Sequence, residues 1–100
     1  MPKIYEYIGY IFFFYSNDHP PVHCHVIKGE KSMKVEITYV DETLFVRFSK
    51  IKKSPSLSIS QPKEIEIFVR KYHVFIVNKW NDFFEKGKKP NFKIIKDKIG

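Results

Sequence analysis

One segment of this sequence, residues 60–87, carries the spacing of an amphipathic helix, and it follows a series of short stretches that read as strands. Ile65, Val69, Tyr72, Ile76, Trp80 and Phe83 recur at steps of three and four, so they share one stripe that must be buried against something. Ser60-Gln61-Pro62 is a helix start: a serine able to accept from free backbone amides, then a proline where its missing N–H costs nothing. Gly87 and Pro90 are natural stop signals, which allows a helix of about six turns.

The stretches before it set the class. Tyr7 to Tyr15 is dense in Ile, Phe and Tyr and reads as one largely buried strand. His23 to Lys28 reads as a second, ended by a hairpin turn at Gly29-Glu30. From Met33 to Tyr39 the chain alternates, with Met33, Val35, Ile37 and Tyr39 on one face and Lys34, Glu36 and Thr38 on the other. Asp41-Glu42 makes the next turn, Leu44 to Phe48 forms the fourth strand, and Ser49 to Ser60 is a polar, basic surface loop or short edge segment. Strands followed by one long helix predict an α+β fold: an antiparallel meander sheet of about four strands, one face covered by a long C-terminal helix. Ile67 and Val74 fall off the main stripe, seven residues apart, and are the candidate partner-binding strip.

With 100 residues the chain suffices for one core, expected over residues 1–87, followed by a basic tail over 88–100. A lone cysteine, Cys24, forms no internal disulfide, and the N-terminal residues lack the pattern of a secretion signal, so the cytoplasm is the expected compartment. The longest purely apolar run, Ile11 to Tyr15, falls far short of the roughly 20 residues that cross a bilayer, so no membrane partner is expected. The net charge of +7 gathers at Arg47, Lys50, Lys52 and Lys53 and in the tail. With Lys28, those four residues are the candidate nucleic-acid contacts, since clustered cations bind polyanions by releasing counterions.

Three of the four histidines stand within Asn17-Asp-His-Pro-Pro-Val-His-Cys-His25. His23 and His25 are two apart on a strand and project from one face; His19 lies just before them, in a turn stiffened by Pro20 and Pro21. Three chemistries compete for this grouping. Neutral imidazoles of His19, His23 and His25 can hold Zn²⁺ or another first-row ion, completed by Asp18 or water. Without a metal, one imidazole can take a proton from an RNA 2′-hydroxyl while a second protonates the leaving oxygen, which makes His19, His23, His25 and Asp18 the catalytic candidates. The third reading is structural, with the histidines bonding across strands or lining a partner interface. Cys24 points to the opposite face and is read as a small core residue.

Phe12-Phe-Phe-Tyr-Ser-Asn-Asp-His19, then Pro21-Val-His-Cys-His-Val26 and Lys28-Gly-Glu30, resemble the signature of a family of small bacterial proteins, the domain of unknown function 4160. The resemblance runs over about residues 1–85, taking in a strand of the Met33 to Ile37 type and a helix bearing a Trp like Trp80. Asn17, Asp18, His19, Pro21, His23, His25 and Gly29 are the matching positions. Cys24 stands where an aliphatic residue is more usual, and the tail from Lys88 extends past the family's typical end. The resemblance implies a cognate, antitoxin-like protein partner, because some members are regarded as toxins of type II toxin–antitoxin pairs. The expected function is accordingly a toxin-like component acting on RNA or translation. The alternatives are a non-catalytic protein-binding module and a metal-binding protein built on the same histidines.

Overall fold

A computed structural model describes residues 2–50, 57–59 and 62–99. Five strands come first: β1 (Lys3–Tyr7), β2 (Tyr10–Phe13), β3 (His23–Lys28), β4 (Lys31–Val40) and β5 (Thr43–Ser49). A two-residue strand β6 (Leu57–Ser58), the helix α1 (Lys63–Phe84) and a final strand β7 (Lys93–Ile95) follow. The continuous path of the sheet is β5-β4-β3-β2-β1-β7, and β6 lies parallel to the start of β4, beside Lys31 and Ser32, where β5 does not reach. The fold is α+β, as the order of periodicities predicts.

The strand count differs from the expected four. The run read as one strand from Tyr7 to Tyr15 is a hairpin corner, turning at Ile8 (φ 39°) and Gly9 (φ 89°). A two-residue turn with both φ values positive matches the twist of antiparallel strands. Its flanks are both buried, so hydropathy runs through the turn without a break, and Gly9 is the sole signal. The helix is also not the last element. The basic tail returns to the sheet, where β7 pairs parallel with β1 and Ile99 N–H donates to Tyr7 Oη at 2.9 Å. Tail residues Ile95 and Ile99 pack on the core. Ser60, the expected helix cap, and the stretch 51–56 lie outside the described residues.

The helix stripe works as its spacing predicts. Ile65, Val69, Ile76 and Trp80 are buried, and Tyr72 and Phe83 are half-buried against the core. Phe68 belongs with them and anchors the face, its ring 4.7 Å from Tyr7, 4.8 Å from Phe12 and 4.7 Å from Tyr72. Opposite the helix the sheet contributes Phe12, Cys24, Val26, Met33, Val35 and Ile37. Ile67 is half-buried, and Val74 is exposed beside an equally exposed Phe75.

Alternation gives the other face a different content. Because β3 directs alternate side chains to opposite faces, burying Cys24 and Val26 under α1 turns His25 the other way, while His23, at the start of the strand, also packs its ring 5.2 Å from that of Trp80 on α1. Phe13, paired with His25, lies with them. No helix among the described residues is long and apolar enough to cross a membrane.

Candidate functional site

The segment between β2 and β3 folds so that Asp18 turns inward. Asp18 N–H donates to the Tyr15 carbonyl at 3.1 Å, while Tyr15 N–H donates to Asp18 Oδ2 at 2.8 Å. Those reciprocal bonds close a tight turn over Ser16 and Asn17 and leave Oδ1 free to face the sheet. Downstream, the Pro20–Pro21 peptide is cis, and the Val22 carbonyl accepts from Ile37 N–H at 2.9 Å, which ties the segment's end to β4.

His23 and His25 meet that carboxylate. Asp18 Oδ1 lies 3.3 Å from His23 Nε2 and 3.2 Å from His25 Nε2. The far nitrogen of His23, Nδ1, contacts the Pro21 carbonyl at 2.8 Å. A carbonyl only accepts, so Nδ1 carries the proton there, and the neutral ring presents its lone pair at Nε2. His25 is wedged between aromatic rings, stacked on Phe13 at 5.5 Å and edge-on to Tyr15 at 4.4 Å, and its Nδ1 is buried with no hydrogen-bond partner. Burial pushes its pKa down from the ordinary histidine value, opposed by the bond to Asp18 and assisted by the charges of His23 and Lys34. The unprotonated ring is therefore the favoured form near neutrality.

His19 stands apart. It is exposed, and among the described residues the group of three ligand-type side chains whose atoms lie within 4.8 Å of one another is Asp18, His23 and His25. The reason is local: the Tyr15–Asp18 bonds turn Asp18 toward the sheet, and its chain neighbour His19 is left facing solvent.

Around this group lies a cleft of about 500 Å³, lined by Asp18, His23, His25, Lys34, Glu36, Arg47, Ser49 and Lys50. Strand register assembles it. The turn at Gly29-Glu30 pairs Lys28 with Lys31 and, counting back, His25 with Lys34 and His23 with Glu36. The next pairing sets Glu36 opposite Arg47 and Lys34 opposite Ser49. Lys34 Nζ is 3.5 Å from Glu36 Oε1, so that carboxylate is partly neutralised within the cleft.

Of the expected cationic contacts, Arg47 and Lys50 line the cleft. Lys28 does not: its ammonium sits 4.4 Å over the Tyr10 ring. Lys52 and Lys53 lie outside the described residues. Lys34, Glu36 and Ser49 were not singled out from sequence, although hairpin counting from Gly29-Glu30 places the first two beside the histidines. Cys24 is fully buried among apolar side chains, and its thiol pKa is pushed up to about 12 by burial, so it takes no part. A larger hollow of about 670 Å³ between α1 and the tail, lined among others by Tyr5, Tyr72, Lys79 and Lys93, contains none of these groups.

Chemically the arrangement offers a carboxylate shared by two imidazoles, one with its outer nitrogen anchored and one unprotonated, beside cations suited to an anionic group. Such a set can pass a proton or hold a cation. No curated protein and no solved structure matches this chain. The family model for a domain of unknown function, DUF4160, matches residues 9–81, which span β2 to the greater part of α1 and include every residue of the Asp18, His23 and His25 group. The chain belongs to the DUF4160 family.

Proposed function

We propose that the protein is a toxin-like member of a two-protein pair that acts on RNA, binding the polynucleotide across the cleft on the open face of the sheet. The observation that carries this reading is the convergence of Asp18, His23 and His25 at one end of a cleft whose other lining includes Lys34, Arg47 and Lys50. Cations placed beside acid–base groups suit a phosphodiester, whose charge they neutralise while the bond is broken. The basic net charge adds long-range attraction for a polyanion. The partner is a cognate protein that masks the cleft or its rim.

Conditional expression in a bacterial host tests this. Growth should slow with the wild-type chain and recover with a His23→Ala/His25→Ala double variant of equal abundance. Purified protein should cleave total RNA, and the chemistry of the product ends distinguishes attack by the 2′-hydroxyl, which leaves a cyclic phosphate, from attack by water. Unimpaired growth together with intact RNA would end the reading.

A second reading, a non-catalytic binding module, draws on a different place. Tyr39, Val40 and Phe45 are about half exposed at the end of the β4–β5 hairpin, and Tyr39 Oη hydrogen-bonds His73 Nδ1 at 2.7 Å, next to exposed Val74 on α1. Here a partner would cover apolar surface, and Tyr39→Ala or Val74→Asp would weaken the complex while His23→Ala would not.

A further inference from the structure

We propose that Asp18, His23 and His25 form a mononuclear site for a divalent first-row transition ion, bound through Asp18 Oδ1 and the two Nε2 atoms, with its remaining coordination positions facing the cleft. This goes beyond the RNA reading and does not depend on it, since the argument concerns the three ligands and not what enters the cleft.

Hydrogen-bond chemistry comes first. With the His23 proton committed to the Pro21 carbonyl, a neutral His23 aims the Nε2 lone pair at Asp18 Oδ1, 3.3 Å away, so two acceptors confront each other. Only a cation between or upon them resolves this, either a second proton on the ring or a shared metal. A ligating histidine normally donates its other nitrogen to a carbonyl, which is the arrangement His23 has with Pro21.

Distance comes second. Charge-assisted N–H···O⁻ bonds are typically about 2.7–2.9 Å long. Both contacts of Oδ1 are longer, at 3.3 and 3.2 Å. Tetrahedral ligands held by bonds of about 2.0–2.1 Å lie about 3.3 Å from one another, which the two separations from Asp18 match, and the three ligand atoms as a set lie within 4.8 Å of one another.

The carboxylate is also pre-set, because Tyr15 N–H holds Oδ2 at 2.8 Å and leaves Oδ1 for the ion. All three ligand side chains are about nine-tenths buried, which spares the ion competition from bulk water on the protein side. The nearby cations do not exclude it: Lys34 is paired with Glu36, and Asp18 offsets half of the ion's charge. Two imidazoles and one carboxylate suit Zn²⁺, Fe²⁺ or Co²⁺ better than Mg²⁺ or Ca²⁺, which prefer all-oxygen shells. Three protein ligands with open positions is the pattern of a site that binds water or substrate rather than a purely structural one.

Untagged full-length protein, purified without chelator and then titrated with Zn²⁺ and Co²⁺ after stripping, tests the site. About one equivalent of Zn²⁺ should bind, and Co²⁺ should give the visible d–d bands of a low-coordinate complex with nitrogen and oxygen donors. At a hundredfold excess over its Kd, Zn²⁺ should raise Tm by roughly 10 °C or more. Asp18→Ala and His23→Ala should abolish the Co²⁺ bands, whereas His19→Ala should keep them; circular dichroism checks that each variant is folded, and the wild-type spectrum decides alone if one is not. Less than about 0.2 equivalents of Zn²⁺, with no bands and no shift in Tm, would overturn the proposal. Bound metal with intact RNA and unimpaired growth supports this site while ending the RNA reading; RNA cleavage by protein that binds no metal does the reverse.

Discussion

Strand β3 serves two faces of one sheet, and its residues divide between them with a period of two. Cys24 and Val26 are fully buried beneath the helix, as members of the apolar core. His23 and His25, one residue out of phase, are nearly as buried, yet they face a carboxylate, two other strands' charged side chains and a cleft, with only the His23 ring also touching the helix side at Trp80. Equal burial therefore means different things. On the covered face it reflects the hydrophobic effect and close packing, and it stabilises. On the open face it removes water from polar groups, which costs stability unless partners compensate and which makes those groups reactive.

That contrast breaks most easily at Phe68, where the helix meets four aromatic rings, three of the sheet and one of its own next turn. Phe68→Ala should destabilise the fold by about 3–5 kcal/mol in chemical denaturation, because it leaves a cavity in a fully packed layer. A loss below about 1 kcal/mol would mean that the covered face is not what holds the sheet. Within β3 the test is finer. Cys24→Ser inserts a hydroxyl among apolar side chains and should cost about 1–3 kcal/mol, with little direct effect on the cleft. The native thiol should also stay inert to a thiol reagent until denaturant is added, as expected of a fully buried group with its pKa raised to about 12.

Open-face changes should reverse the balance. Arg47→Gln should shift stability by no more than about 0.5 kcal/mol. If a polyanion occupies the cleft, the same change weakens its binding and lowers the slope of log affinity against log salt by about 0.7 for a single-stranded ligand. An unchanged slope would remove Arg47 from the contact surface. A last effect belongs to neither face. Asp41 (φ 50°) and Glu42 (φ 69°) form the β4–β5 turn in a conformation that glycine adopts with less strain. Glu42→Gly should therefore raise stability by about 1 kcal/mol, read as a higher Tm with the cleft's properties unaltered.

Much of this is legible in the sequence itself. The period of the Ile65 to Phe83 stripe, the alternation from Met33 to Tyr39 and the Gly29-Glu30 turn each follow from local rules, and each appears in the fold. The turn at Ile8-Gly9 was not legible, because both of its flanks are buried and hydropathy passes through it unmarked. The tail was harder still. Its lysines dominate its composition, while its edge strand depends on three residues meeting β1 across a long stretch of chain.

The same division applies to the site. Sequence alone determined that His23 and His25 share a face, that Cys24 does not, and that a basic surface lies somewhere near, since strand alternation and charge counting are local properties. Tertiary structure decided that Asp18, rather than His19, completes the group, because hydrogen bonds within one turn choose which of two adjacent side chains points inward. It also decided that Lys34, Glu36, Arg47 and Lys50 line the cleft while Lys28 sits on Tyr10. Register, set by two hairpins, converts residues distant in the chain into neighbours, and no property of any single residue carries that information.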